Sequence, residues 1–271
     1  MKKIAVLNDI HGNLFLLNKV IESLKDKNID KYIICGDFLT DGPDDNKIIE
    51  TIKDLNAEVI IGNREETILN IKNKKYKPDI KSYPLFYTTN NLSFENILYL
   101  ESLTKYKIIN YEGKRICISH GSPYNIRDMI NFKDDLFFQN IKNDFPADIY
   151  LFAHSHRPFY KEYQNQVFIN TGAINCILGR KKVTSYGIIT INSSLISYEQ
   201  VYLPYNIEEV KEYYLNSDYY KACPEWSMII LNVLNSGYNY IEAFSNQFDF
   251  SKSINENFTN FVRNYDLPIK W

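Results

Sequence analysis

The chain has 271 residues, of which 45% are hydrophobic and 24% are charged, so it is long and apolar enough to bury a substantial core. Its formal net charge of −2 argues against a general nucleic-acid-binding protein, because binding to a phosphate backbone needs a basic face. The four cysteines are widely spaced in the sequence, which argues against both a zinc knuckle and a disulfide framework.

The first apolar run of the chain, Ile4–Leu7, is shorter than the roughly 7–15 residues found in the core of a signal peptide. No apolar stretch approaches the roughly 20 residues of a membrane span. We therefore expect a cytoplasmic protein that has no membrane partner.

The first part of the chain alternates strand-like and helix-like patterns. Three short apolar runs, each followed by a polar loop, are predicted to be strands: Ile4–Leu7, Tyr32–Cys35 and Ala57–Ile61. Between them, the apolar residues of Leu14–Leu24 and Ile48–Leu55 recur at helical spacing. This alternation predicts a parallel sheet, and such sheets bind ligands in the loops at the carboxyl ends of their strands.

The middle of the chain is predicted to be helical from Glu66 to Tyr111, and strands follow at Arg115–Ser119 and Ile149–Ala153. Both of these strands lead directly into a histidine. Val167–Asn170 and Ser185–Ile191 are predicted to belong to a second sheet.

The pattern becomes helical beyond residue 203, with Ile207–Leu215 and roughly Glu225–Phe244 as the predicted helices. No linker rich in glycine, serine or proline precedes this part of the chain. We therefore expect one domain over residues 1–203 and a helical C-terminal extension over residues 204–271 that packs on it. Three roles are open for this extension: dimerisation into a homo-oligomer, coverage of an active site, or closure of the fold.

All four histidines of the chain, His11, His120, His154 and His156, follow an apolar run that is predicted to be a strand. A single histidine in such a position is more often a hydrogen-bonded core residue than a metal ligand. Four histidines in equivalent positions, with Asp9 two residues before His11, favour metal binding instead. Side chains two residues apart in an extended segment point to the same side and can share one metal ion.

Asp37 and Asn63 end neighbouring predicted strands, so their loops are expected to meet the histidines at one rim of the sheet. Imidazole and carboxylate ligands without a thiolate suit Zn, Fe, Mn, Ni or Co. The sequence therefore predicts a metal site with nitrogen and oxygen ligands.

These motifs, in this order, resemble those of the calcineurin-like metallophosphoesterases, and in particular small bacterial members that cleave phosphodiesters or dinucleoside polyphosphates. The motifs are Asp9-x-His11, Gly36-Asp37, Gly62-Asn63, a single His120 and His154-x-His156, and they lie within residues 1–192. The resemblance implies an α/β (α+β) fold. In it, two mixed β-sheets form a four-layer αββα sandwich, here with a helical C-terminal extension.

The resemblance also implies two divalent or trivalent metal ions. One would be held by Asp9, His11, Asp37 and His156, and the other by Asp37, Asn63, His120 and His154. Asp37 would bridge the two ions, and a metal-bridging hydroxide would attack the phosphorus atom. Asp37, His120 and Arg64 are the catalytic candidates.

Arg64 departs from the family pattern, in which a histidine that helps to protonate the leaving group often follows Gly-Asn. An arginine has a pKa above about 12 and cannot act as a general acid near neutrality, but it can donate hydrogen bonds to phosphate oxygens. We therefore predict a preference for leaving groups that need no proton, as in phosphoanhydrides or esters of acidic alcohols. The alternative is that Arg64 forms a surface ion pair with Glu65 or Glu66.

The predicted substrate-binding residues are Asn63, Arg64 and Arg157, and Arg127 is a weaker candidate. The predicted function is hydrolysis of a phosphodiester or nucleoside-polyphosphate small molecule, so the expected partner is a small phosphorylated substrate, such as a nucleotide. The alternatives are a phosphomonoesterase, a protein phosphatase, or a catalytically silent scaffold protein of the same fold. Scaffold relatives of the retromer type lose metal-ligand histidines, whereas this sequence keeps every expected ligand.

Overall fold

Two mixed β-sheets of five strands each lie at the centre of the computed structural model, which describes residues 1–75, 82–192, 195–265 and 267–269. The strands are β1 (Lys2–Leu7), β2 (Lys31–Ile34), β3 (Glu58–Val59), β4 (Tyr106–Tyr111), β5 (Lys114–Ser119), β6 (Ile149–Phe152), β7 (Phe159–Tyr163), β8 (Gln166–Asn170), β9 (Val183–Ile191) and β10 (Ile196–Pro204). The α-helices are α1 (Leu14–Leu24), α2 (Asp45–Asp54), α3 (Asn63–Lys72), α4 (Ser82–Asn91), α5 (Phe94–Ser102), α6 (Asp135–Asp144), α7 (Ile207–Leu215), α8 (Asp218–Ala222), α9 (Pro224–Ser236), α10 (Tyr240–Asn246) and α11 (Ile254–Asn264).

The strand order is β10-β9-β1-β2-β3 in the first sheet and β4-β5-β6-β8-β7 in the second. β1, β2 and β3 run parallel, and so do β5, β6 and β8. The remaining strands, β4, β7, β9 and β10, pair antiparallel with their neighbours. Each sheet therefore has a parallel centre, whose carboxyl edge is the usual place for a ligand site.

Buried side chains hold these layers together. Successive residues of β1 alternate between two clusters, because side chains along a strand point to opposite faces. Ile4 and Val6 pack with Ile118 of β5 between the sheets. Ala5 and Leu7 join the cluster that covers the outer face of the first sheet with α1, α2 and the C-terminal extension. Since α6 packs on the outer face of the second sheet, the predicted four-layer αββα sandwich is confirmed.

The loops that follow β1, β2 and β6 come together at one edge of the sandwich. His11 N donates a hydrogen bond to Asp37 O (3.1 Å), which joins the loops after β1 and β2. Across the two sheets, Asn8 Nδ2 donates to Phe152 O at the end of β6 (2.9 Å). The polar loops singled out in the sequence are therefore held next to one another.

The predicted helix from Glu66 to Tyr111 and the predicted sheet of Ser185–Ile191 need correction. The first segment contains helices and then strand β4 at Tyr106–Tyr111, which pairs antiparallel with β5, while residues 76–81 are outside the described residues. Ser185–Ile191 belongs to β9 of the first sheet, where Ile189 lies opposite Ile4. The first error misses a local hairpin, because only Glu112 and Gly113 separate β4 from β5. The second concerns pairing with the distant β1, which the local pattern does not determine.

The C-terminal extension packs on the first sheet through fully buried side chains such as Trp226. Helix α7 has the predicted bounds, but Glu225–Phe244 is not one helix. The break occurs at Gly237, which caps α9 in a left-handed conformation (φ 72°) that favours glycine. None of the described helices is long and apolar enough to cross a membrane.

Candidate metal centre

The backbone turns sharply at most of the predicted metal ligands. Five of them have the positive φ angles of the left-handed region: Asp9 (49°), His11 (46°), Asp37 (49°), His154 (66°) and His156 (54°). Residues other than glycine rarely adopt this conformation, which costs of order 1–3 kcal/mol and persists only where the surrounding structure imposes it. Among the described residues, five of the fifteen non-glycine positions with positive φ are thus predicted metal ligands.

Asp9, His11 and His156 form the first of two clusters. One ligand atom from each of them lies within 4.8 Å of the others. The Nε2 atoms of His11 and His156 are 3.1 Å apart, and Asp9 Oδ1 lies 4.0 Å from the first and 3.7 Å from the second. These are three of the four residues predicted to hold one ion.

Asp37, His120 and His154 form the second cluster, again with ligand atoms within 4.8 Å of one another. His120 Nε2 lies 3.3 Å from Asp37 Oδ2 and 3.1 Å from Asn63 Oδ1. Asp37 Oδ2 is also 3.9 Å from His11 Nε2, in the first cluster. Asp37 therefore lies between the two clusters, at the position of the predicted bridge.

The hydrogen bonds of these residues fit two metal ions. His120 Nδ1 lies 2.8 Å from Cys35 O, and His156 Nδ1 lies 2.9 Å from Cys176 O. In the neutral imidazoles these bonds place the proton on Nδ1 and leave the lone pair of Nε2 directed into the cluster. Asp9 Oδ1 is buried and accepts no hydrogen bond from the described residues. A cation would satisfy these facing lone pairs.

Burial keeps the histidines of the first cluster uncharged. Burial, and after it the neighbouring His156, lowers the pKa of His11 well below its usual range. Burial likewise lowers the pKa of His156 to about 4. Because only neutral imidazole binds a metal ion, both side chains are in the binding form at neutral pH.

The carboxylates experience opposite effects. Burial raises the pKa of Asp9 well above its usual range. Burial alone would also raise the pKa of Asp37, but the charge of His120 and the hydrogen bond with it lower this pKa below its usual range. In return, Asp37 overcomes the effect of burial on His120 and raises its pKa to about 9. Bound cations would stabilise the ionised form of both carboxylates.

Glu65 holds the loops around the site together, a role that the sequence analysis did not assign to it. Its buried carboxylate accepts hydrogen bonds from Asp37 N (2.9 Å), Leu39 N (3.0 Å) and Gly62 N (2.8 Å). Burial raises the pKa of Glu65 to about 7. Its position three residues after Gly62, at the start of α3, was the available sequence signal, because Glu at this position commonly caps a helix.

Arg64 lies in the site and not on the surface. It is only 7% exposed, and its Nη2 donates to Asp41 Oδ2 (2.7 Å). Its backbone N donates to Asp37 Oδ1 (2.8 Å). The alternative of a surface ion pair is therefore wrong, because the guanidinium pairs with a buried carboxylate.

Asp41, which was not among the predicted site residues, connects the site to the C-terminal extension. Its Oδ1 accepts a hydrogen bond from Trp226 Nε1 (2.9 Å), and its backbone O accepts one from Tyr214 OH (2.9 Å). Its Oδ2 also lies 3.3 Å from Nδ1 of His11. No local pattern could have paired Asp41 with a tryptophan 185 positions away.

The other two arginine candidates lie outside the two clusters. Arg157 is exposed and lines a neighbouring cavity of about 500 Å³. Arg127 pairs with Glu66 and donates from Nη2 to Thr67 Oγ1 (3.3 Å). The structure thus brings Asn63 and Arg64 to the predicted metal ligands and places Arg157 and Arg127 apart from them.

A cavity of about 460 Å³ opens over the two clusters. Its metal side contains His11, Asp37, Asn63, Arg64, His154 and His156. Six further lining residues belong to the C-terminal extension: Ile230, Val233, Asn239, Ile241, Glu242 and Ser245. Its volume is typical of a small-molecule site.

Comparison with known proteins agrees with this geometry. The family model of the calcineurin-like phosphoesterases matches residues 2–185. An uncharacterised protein of Methanocaldococcus jannaschii is 29% identical over 175 residues, which cover 63% of this chain and 69% of the relative. A phosphodiesterase of the same archaeon is 24% identical over 170 residues, which cover 63% of this chain and 82% of the relative.

Two solved structures share the fold. A hypothetical protein from Pyrococcus horikoshii OT3 superposes with a TM-score of 0.72 at 23% identity, covering 88% of this chain and 99% of that protein. A metallophosphoesterase from Sphaerobacter thermophilus gives a TM-score of 0.64 at 19% identity, covering 78% and 92%. The first of these alignments extends beyond the part of the chain that the family model matches.

Proposed function

Because this chain belongs to the calcineurin-like phosphoesterase family, we propose that it is a dinuclear metal-dependent hydrolase of a phosphodiester or nucleoside-polyphosphate small molecule. The observation that carries the proposal is the pair of adjacent ligand clusters with Asp37 between them. A closed structural zinc site would instead be tetrahedral and commonly rich in cysteine.

Seven side chains would hold the two ions: Asp9, His11, Asp37, Asn63, His120, His154 and His156. Two such ions, when bound, supply Lewis acidity toward phosphate oxygens and lower the pKa of an attacking water held between them. The nitrogen and oxygen donors suit Mn, Fe, Zn, Ni or Co. Asp37 would fix the distance between the ions, and His120 would be held in orientation by its contact with Cys35 O.

Arg64 would bind the phosphate. Its guanidinium lines the cavity beside the ligand clusters, and its pairing with Asp41 fixes its orientation. Because it stays protonated near neutrality, it stabilises charge on phosphate oxygens and does not donate a proton to the leaving group. This supports the predicted preference for leaving groups that need no proton. Arg157, in the neighbouring cavity, would contact only a longer substrate.

The test is hydrolysis of bis(4-nitrophenyl) phosphate and 4-nitrophenyl phosphate by metal-stripped protein that is reloaded with Mn²⁺. We expect metal-dependent turnover, a higher kcat/KM for the diester, and loss of both activities in His156→Ala. A higher kcat/KM for the monoester would instead identify a phosphomonoesterase. Two bound ions per chain without turnover in Mn, Fe, Ni, Co or Zn would favour a catalytically silent binding protein.

A further inference from the structure

The C-terminal extension contributes part of the wall of the cavity that contains the ligand clusters. Building on the function proposed above, we infer that the C-terminal extension selects a phosphoester with a single phosphate and an uncharged, apolar substituent, such as an aryl group. Nucleoside polyphosphates are excluded from this class. The family model does not include the part of the chain that carries this selection.

Apolar side chains contribute much of the cavity lining. Ile241 of α10 and Leu178 are half-buried there and Met129 is exposed, whereas Ile230 and Val233 of α9 line the cavity with fully buried side chains. A phosphate at the ligand clusters would place its substituent near the accessible side chains of Ile241, Leu178 and Met129. Removing an apolar substituent from water against such a surface is favourable in proportion to the area buried.

Positive charge is scarce around the cavity. Among the described residues that line it, Arg64 is the only lysine or arginine, and its Nη2 pairs with Asp41 at 2.7 Å. The exposed carboxylate of Glu242 lies on the wall of the extension. A diester carries one negative charge, whereas a polyphosphate would bring further charges toward this carboxylate without a matching cation.

Hydrogen bonds hold the wall of the extension in place before any ligand binds. Gly237 ends α9, and Gly179 N donates to Gly237 O (2.8 Å), which ties the break to the sandwich. Asn239 then caps α10, accepting from Glu242 N (3.1 Å) and donating to Glu242 Oε2 (2.9 Å). On the other side of the wall, Trp226 donates to Asp41 of the site (2.9 Å). A preformed wall recognises its ligand without first having to be ordered.

The neighbouring cavity does not change this conclusion. Asn239 and Glu242 line both cavities. A polyphosphate that extended from the ligand clusters into the neighbouring cavity would therefore meet the carboxylate of Glu242 there as well. The same carboxylate therefore disfavours long anionic substrates in both cavities.

Binding of unreactive phosphonates separates this inference from turnover. We would load the protein with Mn²⁺ and measure the Kd of phenylphosphonate, methylphosphonate and pyrophosphate by calorimetry. The free Mn²⁺ concentration is held fixed, because pyrophosphate itself binds the ion. Phenylphosphonate should bind about tenfold more tightly than methylphosphonate, since the two differ only in apolar area. Equal affinities for these two ligands would overturn the inference.

Variants of the wall make the test specific. Ile241→Ser should reduce the preference for the phenyl ligand to about twofold, whereas the same change at Ile254, which is half-buried and outside the cavity, should leave it unchanged. Glu242→Lys should tighten pyrophosphate binding about tenfold, and the exposed Glu212→Lys controls for net charge. Pyrophosphate binding that is tighter than phenylphosphonate binding in the unaltered protein, or is unchanged by Glu242→Lys, would refute the charge argument.

Hydrolysis by the unaltered protein distinguishes failure of the proposed hydrolase function from failure of the proposed selection by the C-terminal extension. Metal-dependent hydrolysis of bis(4-nitrophenyl) phosphate with equal phosphonate affinities would leave the hydrolase proposal intact and reject the selection by the extension. Absence of hydrolysis, together with phosphonate binding that does not depend on Mn²⁺, would reject the proposed function itself.

Discussion

Replacing Trp226 with phenylalanine tests whether the C-terminal extension supports the site through Asp41. The indole is fully buried, and its Nε1 donates to Asp41 Oδ1 at 2.9 Å. The other oxygen of Asp41 accepts from Arg64 at 2.7 Å and lies 3.3 Å from His11 Nδ1. Phenylalanine retains an aromatic ring but removes the only N–H that the tryptophan side chain offers.

The expected effect has a stability part and a catalytic part. A hydrogen bond to a charged group contributes about 1.5–3 kcal/mol, and the smaller ring adds about 1 kcal/mol of lost packing. We therefore expect the free energy of unfolding to fall by about 3 kcal/mol, which a domain with about 5–15 kcal/mol of stability tolerates. Because Asp41 would hold Arg64 and His11 less firmly, kcat/KM should fall about tenfold.

Urea unfolding and hydrolysis of bis(4-nitrophenyl) phosphate at saturating Mn²⁺ measure the two parts separately. The matched control is Tyr150→Phe, which removes the hydroxyl contacts with Phe145 O (3.1 Å) and Ala147 N (3.0 Å) in the second sheet. This control should lower stability and leave kcat/KM unchanged. If Trp226→Phe also lowers stability alone, the tryptophan is only a core residue and the reasoning is refuted.

Asp45, Gly36 and His156 each offer a further test of the structure. Burial raises the pKa of Asp45 to about 7, so between about pH 4 and pH 7 the folded protein binds more protons than the unfolded chain and loses stability as pH rises. At pH 8, the free energy of unfolding of Asp45→Asn should therefore be about 2–4 kcal/mol higher than that of the unaltered protein, whereas near pH 4 there should be no gain. Urea titrations at the two pH values measure this difference. Gly36→Ala would place a Cβ 2.4 Å from Gly62 N, whereas the Cβ of Gly113→Ala would have no atom within 4 Å. Gly36→Ala should therefore lower the temperature of thermal unfolding more than Gly113→Ala does. His156→Ala should lose about one of two bound ions and most of the rise in Tm on metal loading, as measured by metal analysis and calorimetry; full occupancy would contradict its assignment.

The meeting of the predicted metal ligands at one edge could be anticipated from the sequence because their signals are local. Each follows an apolar run, and the parallel centre of a sheet brings such positions to one edge. Pairing across long distances could not be predicted in the same way, since β9 joined the first sheet because β1 left an edge for it. Strand β4 instead had a local signal, because the turn at Glu112 and Gly113 joins it directly to β5 as a hairpin.

The contribution of the extension to the cavity also depended on distant contacts. Asp41 and Trp226 are each ordinary in their local sequence, and their hydrogen bond exists only in the folded chain. The helix break at Gly237 had a local signal, because an isolated glycine inside a helical pattern can mark a C-cap. That break turns Ile241 and Glu242 toward the cavity.

Each ligand cluster draws side chains from both sheets. Asp9, His11 and Asp37 follow strands of the first sheet, whereas His120, His154 and His156 follow strands of the second. A bound ion would therefore crosslink the two halves of the sandwich, much as a disulfide joins two segments of a chain. Partial opening between the sheets would then require the ion to leave, so amide hydrogen exchange in β1 and β6 should slow together when the protein takes up metal.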